Sequence, residues 1–211
     1  GKGLQWMQLK SKEKNCVLVG SISIKDGEKF YNRLYWVMPD GTYQFYDKRH
    51  LFQMGKEDLH YAAGTTKLVI ECKGWNICPL ICYDLRFPVW SRNTNEYDLL
   101  IYVANWPSIR INAWDTLLKA RAIENMTYCI GVNRVGEDEN GYEFPQTLGA
   151  DVWLMNLDSY QYESSSTLNG SMTGLKVTTF SGNVSISAVA SESEAVVTVT
   201  KKKDAFAPAP P

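Results

Sequence analysis

Cys82 closes the apolar run Ile77-Cys78-Pro79-Leu80-Ile81-Cys82, and the polar turn Tyr83-Asp84-Leu85-Arg86-Phe87-Pro88 follows at once. A thiol at the carboxyl end of a buried strand is held by the sheet yet opens on a crevice, where open α/β sheets place their ligands. A second segment, Tyr46-Asp47-Lys48-Arg49-His50-Leu51-Phe52, offers the ammonium of Lys48. Such a cation favours the thiolate of a neighbouring cysteine and stabilises the oxyanion formed when a carbonyl is attacked. Together they suggest covalent chemistry on a carbonyl. Each has a plainer reading, Cys82 as a structural thiol and Lys48 as a solvated lysine.

Cys16, Cys72, Cys78 and Cys129 fall in strand-like runs and read as core. Cys78 and Cys82 lack the spacing of a redox pair, and the cysteines and histidines lack paired zinc-ligand spacing. No metal and no cofactor are expected. A thiol–histidine pair is the usual alternative activation. His50 and His60 both read as loop residues, which disfavours a papain-like hydrolase.

Elements must carry these groups. Lys2 to Lys14 reads as a short helix, Cys16 to Ile24 as a strand, and Asp26-Gly27 as a hairpin turn. Phe30 to Val37 and Thr42 to Tyr46 return as strands, which delivers Lys48 to a strand end. Leu68 to Cys72 and Trp75 to Cys82 form another pair. Leu99 to Ala104 is continuously apolar, as in a strand covered on both faces. Trp114, Leu117, Leu118, Arg121 and Asn125 recur at helical spacing within Ile111 to Met126. Tyr128 to Val132 is a further strand. The pattern predicts an α/β fold with helices packed on a mixed sheet. After Phe144, Ser, Thr and Val dominate; Val177 to Thr200 alternates like strands with a turn at Ser181-Gly182-Asn183. Residues 201–211 read as a disordered, Pro/Ala-rich tail.

The chain has 211 residues, long enough for a real core, with 22 basic and 23 acidic side chains. That balance argues against nucleic-acid and membrane-surface partners. No apolar run approaches the roughly 20 residues that span a bilayer. Five irregularly spaced cysteines suit a reducing cytoplasm rather than a disulfide framework.

Four segments in order resemble the nitrilase (carbon–nitrogen hydrolase) superfamily, most closely its ω-amidase-like branch. They are Tyr46 to Phe52; Glu57 with His60-Tyr61-Ala62-Ala63-Gly64; Ile81 to Pro88; and Ala104-Asn105-Trp106-Pro107 with Lys119 to Asn125 and Gly131 to Gly136. The resemblance runs from about residue 4 to 144 and implies a partial α-β-β-α sandwich with a mixed central sheet, plus an unmatched β-rich C-terminal segment. Two regions are expected: residues 1–144, a truncated hydrolase domain, and residues 145–211, which look foreign to the family. By resemblance, Cys82 is the nucleophile, Lys48 the catalytic lysine and Glu57 the supporting glutamate, while the Tyr83 N–H helps hold the oxyanion. The implied reaction cleaves the ω-amide of a small 2-oxo dicarboxylic acid monoamide, such as 2-oxoglutaramate, through a thioester.

A substrate carboxylate suits the forked guanidinium. Arg86 and Arg110 are candidates, with pairing to Asp84 or Asp115 as their structural alternatives. Trp106 and Tyr83 are candidate pocket walls. Arg121, Glu124 and Asn125 read as a packing or subunit-contact network. The resemblance also places the family's first glutamate, the general base, upstream of Gly1. Its absence predicts an inactive or nearly inactive chain, and an open sheet edge. A non-catalytic remnant or binding module is the alternative function, and homodimers with sheets back to back are usual in the family.

Overall fold

The computed structural model describes residues 1–144 except Asn95, Glu139, Asn140 and Tyr142, together with the backbone of residues 150–155, 162–165, 184–191 and 194–201. Helix α1 (Lys2–Lys14) ends at Asn15 in the left-handed region. Strands β1 (Leu18–Asp26), β2 (Lys29–Val37) and β3 (Tyr43–Asp47) form an antiparallel three-stranded sheet. A second sheet runs in the order β4 (Ile70–Cys72), β5 (Trp75–Ile81), β6 (Leu99–Ala104), β7 (Tyr128–Asn133), β8 (Ala150–Met155) and β9 (Tyr162–Ser165). Its centre, β5-β6-β7, is parallel, and the flanking pairs are antiparallel, so the sheet is mixed.

Period-two alternation sets the layers. Leu34 and Trp36 of β2 belong to clusters with residues of the larger sheet, including Leu80 in one and Ile77, Leu99 and Ile101 in the other. The intervening Tyr35 and Val37 cluster with Met7 of α1. On the larger sheet, Cys78, Leu100, Tyr102 and Cys129 share a cluster with Trp114, Leu118 and Ala122 of helix α3 (Ile111–Asn125), which follows the one-turn helix α2 (Pro88–Ser91). The order of layers is therefore helix, sheet, sheet, helix. Gly131 permits the closest approach, because a Cβ there would meet Leu118 Cδ1 at 2.5 Å and Trp114 Cζ2 at 2.6 Å. Trp114 is fully buried, and truncating such a side chain to alanine typically costs about 3–5 kcal/mol.

Several boundaries differ from expectation. Cys16 lies in the bend after α1 rather than in β1, and both Cys16 and Cys72 are half-buried rather than core. Past Phe144, β8 and β9 continue the sheet from β7. Strands β10 (Val184–Ser191) and β11 (Glu194–Lys201) pair as a separate hairpin. Their connection falls between Ser191 and Glu194; the turn expected at Ser181-Gly182-Asn183 lies outside the described residues, as does the tail after Lys201. Lys201 itself ends β11, because its backbone pairs with Val184. Among the described residues β1 pairs only with β2, and no helix is long and apolar enough to cross a membrane.

Candidate active site

Parallel strands bring their carboxyl ends to one rim: β5 ends at Ile81, β6 at Ala104 and β7 at Asn133. Cys82, Asn105 and Arg134 are the next residues, and all three line one cavity of about 500 Å³. Lys48 and Glu57 line the same cavity.

Cys82 begins a short 3-10 turn, Cys82–Arg86, with φ of +45°. That left-handed conformation costs a non-glycine residue roughly 1–3 kcal/mol, so the surroundings must hold it. Asp84 caps the turn by accepting from the Ile81 N–H at 3.1 Å. Helix α3 grips it from behind, where Arg121 donates through Nε and Nη2 to the Leu85 carbonyl at 3.1 and 2.7 Å. Tyr83 follows the sulfur in the first turn, where helical N–H groups lack an intrahelical acceptor. Burial pushes the Cys82 thiol up from its ordinary value, and the charge of Lys48 opposes that without overcoming it. The Sγ makes a long contact of 3.9 Å with the Asn105 carbonyl.

Lys48 is one residue past β3 and only 2% exposed. Its backbone is pinned on both sides: its N–H donates to Asn32 O, and its carbonyl accepts from Gly64 N–H, each at 2.9 Å. Gly64 is required there, since a Cβ would sit 2.1 Å from the Asp47 carbonyl oxygen. The ammonium donates to Glu57 Oε2 at 2.5 Å. Glu57 opens a 3-10 turn, Glu57–Leu59, and also accepts from Phe52 N–H at 2.7 Å and Asn32 Nδ2 at 3.3 Å. Glu57 is the only carboxylate among the described residues lining this cavity, and it is committed to Lys48.

A second cavity of about 310 Å³ adjoins the first, sharing Phe52, Cys82 and Asn105. Tyr83, Arg86, Trp106 and Arg110 line it. Arg86 lies 5.1 Å from the Trp106 ring centre and Arg110 5.5 Å from that of Phe52. The alternative of Arg86 pairing with Asp84 is overturned. Asp84 is fully buried and takes its hydrogen bonds from Tyr46, His50 and Ile81.

Cys82, Lys48, Glu57, Tyr83, Arg86, Trp106 and Arg110 thus border two cavities that meet at Cys82, whereas His50, His60, Arg121, Glu124 and Asn125 line neither. Sequence reasoning assigned no part to Asn133, whose side chain accepts from Trp106 N–H at 2.7 Å and donates to Trp106 O at 2.8 Å. An amide at the end of a buried parallel strand is the signal that was available. Arg121 fits the expected packing network, and it also bonds Glu124. Among the described residues no group of three or more His, Cys, Asp or Glu side chains is placed to hold a metal ion.

A thiol at a strained strand-to-turn corner, sharing a cavity with a buried ammonium at the rim of a two-sheet sandwich, defines the class as a cysteine-bearing α-β-β-α protein. A family model for carbon–nitrogen hydrolases matches residues 1–173, and the chain belongs to that family. The match passes the boundary expected at residue 144 and takes in β8 and β9. The chain is 52% identical over 141 residues to the omega-amidase YafV of Escherichia coli K12, covering 67% of this chain and 55% of that protein. It is 33% identical over 152 residues to the 2-oxoglutaramate amidase of Bacillus subtilis, covering 70% and 59%. The chain therefore spans little more than half the length of these relatives. Among solved structures, XC1258 from Xanthomonas campestris superposes with a TM-score of 0.71 at 41% identity over 80% of this chain and 65% of that one. That protein is described as a CN-hydrolase superfamily member with an arsenic adduct in its active site.

Proposed function

We propose that this chain carries the thiol and cation of an amidohydrolase acting on the ω-amide of a small 2-oxo dicarboxylic acid monoamide, of the 2-oxoglutaramate type. The observation that carries the reading is the shared cavity of Cys82, Lys48 and Glu57. Cys82 sulfur attacks the amide carbon, and the carbonyl oxygen takes up negative charge opposite Lys48 and the Tyr83 N–H. The C–N bond breaks, the leaving nitrogen takes up the proton lost by the thiol and departs as ammonia, and the acyl group stays on sulfur as a thioester. Water then attacks the thioester and releases the acid, so one difficult substitution becomes two easier ones. Glu57 holds Lys48 in place. Arg86 and Arg110, held over aromatic rings beside Cys82, suit the distal carboxylate, and Trp106 and Tyr83 wall the acyl chain.

A raised thiol needs a proton acceptor, and Glu57 is occupied. General base catalysis is typically worth about 10²–10⁴-fold, so turnover by these residues alone is slow. That same observation favours, as the second reading, a module that keeps the fold and binds without turning over. The relatives named as amidases and the five free thiols, which suit a reducing cytoplasm, support the first reading.

The test is ammonia release from 2-oxoglutaramate by this chain and by Cys82→Ala. Slow release that the substitution abolishes supports the hydrolase. Equal release from both, or none from either, leaves the binding module.

A further inference from the structure

We propose that the buried carboxylate of Asp84 is a positioning residue that fixes the Lys48 ammonium against the Cys82 sulfur. Its four partners come from the two segments that carry those groups. Oδ2 accepts from Tyr46 Oη at 2.8 Å and from Ile81 N–H at 3.1 Å. Oδ1 accepts from His50 N–H and faces His50 Nδ1, both at 2.9 Å. Tyr46 and His50 each stand two residues from Lys48, on opposite sides. Ile81 immediately precedes Cys82, and Asp84 follows it by two. One side chain with no exposed surface therefore ties the cation's segment to the nucleophile's turn.

The donors are themselves fixed. Tyr46 Oη accepts from Arg49 N–H at 3.1 Å and from Trp90 Nε1 at 3.0 Å. The His50 ring stacks on Phe87 with centres 3.7 Å apart and 6° between planes. A carboxylate is the group this arrangement needs, because it only accepts and offers about four lone-pair sites. An asparagine would present N–H to two of the donors.

This assignment rests on the pairing of Lys48 with Cys82 proposed above, and its test needs no amide. Asp84 also acts on Cys82 simply as a nearby negative charge, which holds the thiol up, as Glu57 does, while Lys48 draws it down. The two roles predict opposite signs. If Asp84 is only a background charge, Asp84→Asn makes the thiolate easier to form. If it positions Lys48, the substitution moves the ammonium away and makes the thiolate harder to form.

The experiment measures alkylation of Cys82 by iodoacetamide against pH, read by peptide mass spectrometry, with buried Cys78 and Cys129 as internal references for an intact fold. We expect Asp84→Asn to slow labelling at pH 8 by roughly three- to tenfold, its midpoint rising by about half to one pH unit. Tyr46→Phe, which keeps the charge and loses one donor, should move the same way by roughly twofold. An unchanged or lowered midpoint in Asp84→Asn overturns the proposal. Where that variant exposes Cys78 and Cys129 to labelling, Tyr46→Phe decides, and an unchanged profile there overturns it equally. Failed ammonia release with this result intact would strike the amidase reading and leave the positioning role standing.

Discussion

Lys48 and Cys82 border one cavity but are built on different terms. Lys48 is buried, pinned through both backbone groups, and neutralised by a carboxylate that is itself anchored twice more. Cys82 is half-buried, held in the left-handed region, packed against the apolar core, and its sulfur reaches the Asn105 carbonyl only at 3.9 Å. The ammonium is partnered by Glu57 as it stands, whereas the thiol is positioned at the cavity with burial opposing its ionisation. For the proposed reaction, the difference teaches that proton removal from sulfur, rather than placement of the cation, is the step to probe at this cavity.

Lys48→Met should break the comparison most severely. Loss of an oxyanion donor typically costs about 10²–10³-fold in turnover, read as ammonia release. Leaving Glu57 without its cation should also cost roughly 3 kcal/mol, at the low end for a broken buried pair, because Glu57 retains the Phe52 N–H. Cys82→Ala, by contrast, should abolish turnover yet hold urea-unfolding stability within about 1 kcal/mol, the scale of a modest volume change at a half-buried site. Equal destabilisation by both variants would erase the distinction.

Adding formate tests the unfinished side. A small carboxylate able to enter the cavity should speed ammonia release by roughly tenfold, a fraction of what a built-in base supplies. No acceleration would mean that proton transfer does not limit the reaction. Next in size, Cys82 alkylation should show a midpoint above that of free cysteine, about 8.5, and Lys48→Met should raise it further, since the opposing charge is gone.

Cys78 gives the smallest effect and the useful contrast, since it lies inside β5, four residues before Cys82, where the charge of Lys67 does not overcome burial. Burial pushes its thiol up to about 12, and Cys129 is raised for the same reason. Above about pH 8.5 the unfolded chain loses these protons while the native chain keeps them. The native state then binds more protons, so stability falls as pH rises, by about 1.4 kcal/mol per pH unit for each fully ionising group. Urea unfolding between pH 8 and 9.5 should show this decline, and Cys78→Ala should make it shallower.

Much of the layered fold was legible because period-two and helical patterns report burial directly. Trp114, Leu118, Arg121 and Asn125 marked the packed face of α3, and Leu99 to Ala104 its doubly covered strand. Cys82 and Lys48 were legible as chemistry-bearing residue types at strand ends, whereas Glu57 and Tyr83 entered only through the family resemblance, and Arg86 and Arg110 through the substrate it implies. What stayed hidden has a common cause: position without a compositional mark. A left-handed residue usually announces itself as glycine or asparagine, and cysteine at 82 does not. Asp84 reads in sequence as a surface turn acid, since nothing local shows that Tyr46 and His50, far away in the chain, converge on it. The continuation of the sheet by β8 and β9 was missed because composition changes at Phe144 while backbone pairing does not.

The backbone at position 82 and the side chain it bears pull in opposite directions. Residues at ease with positive φ are glycine, asparagine and aspartate, and none of them offers a sulfur. Variants selected for folding alone should therefore drift toward glycine at this corner, whereas selection for nitrogen release should return cysteine every time.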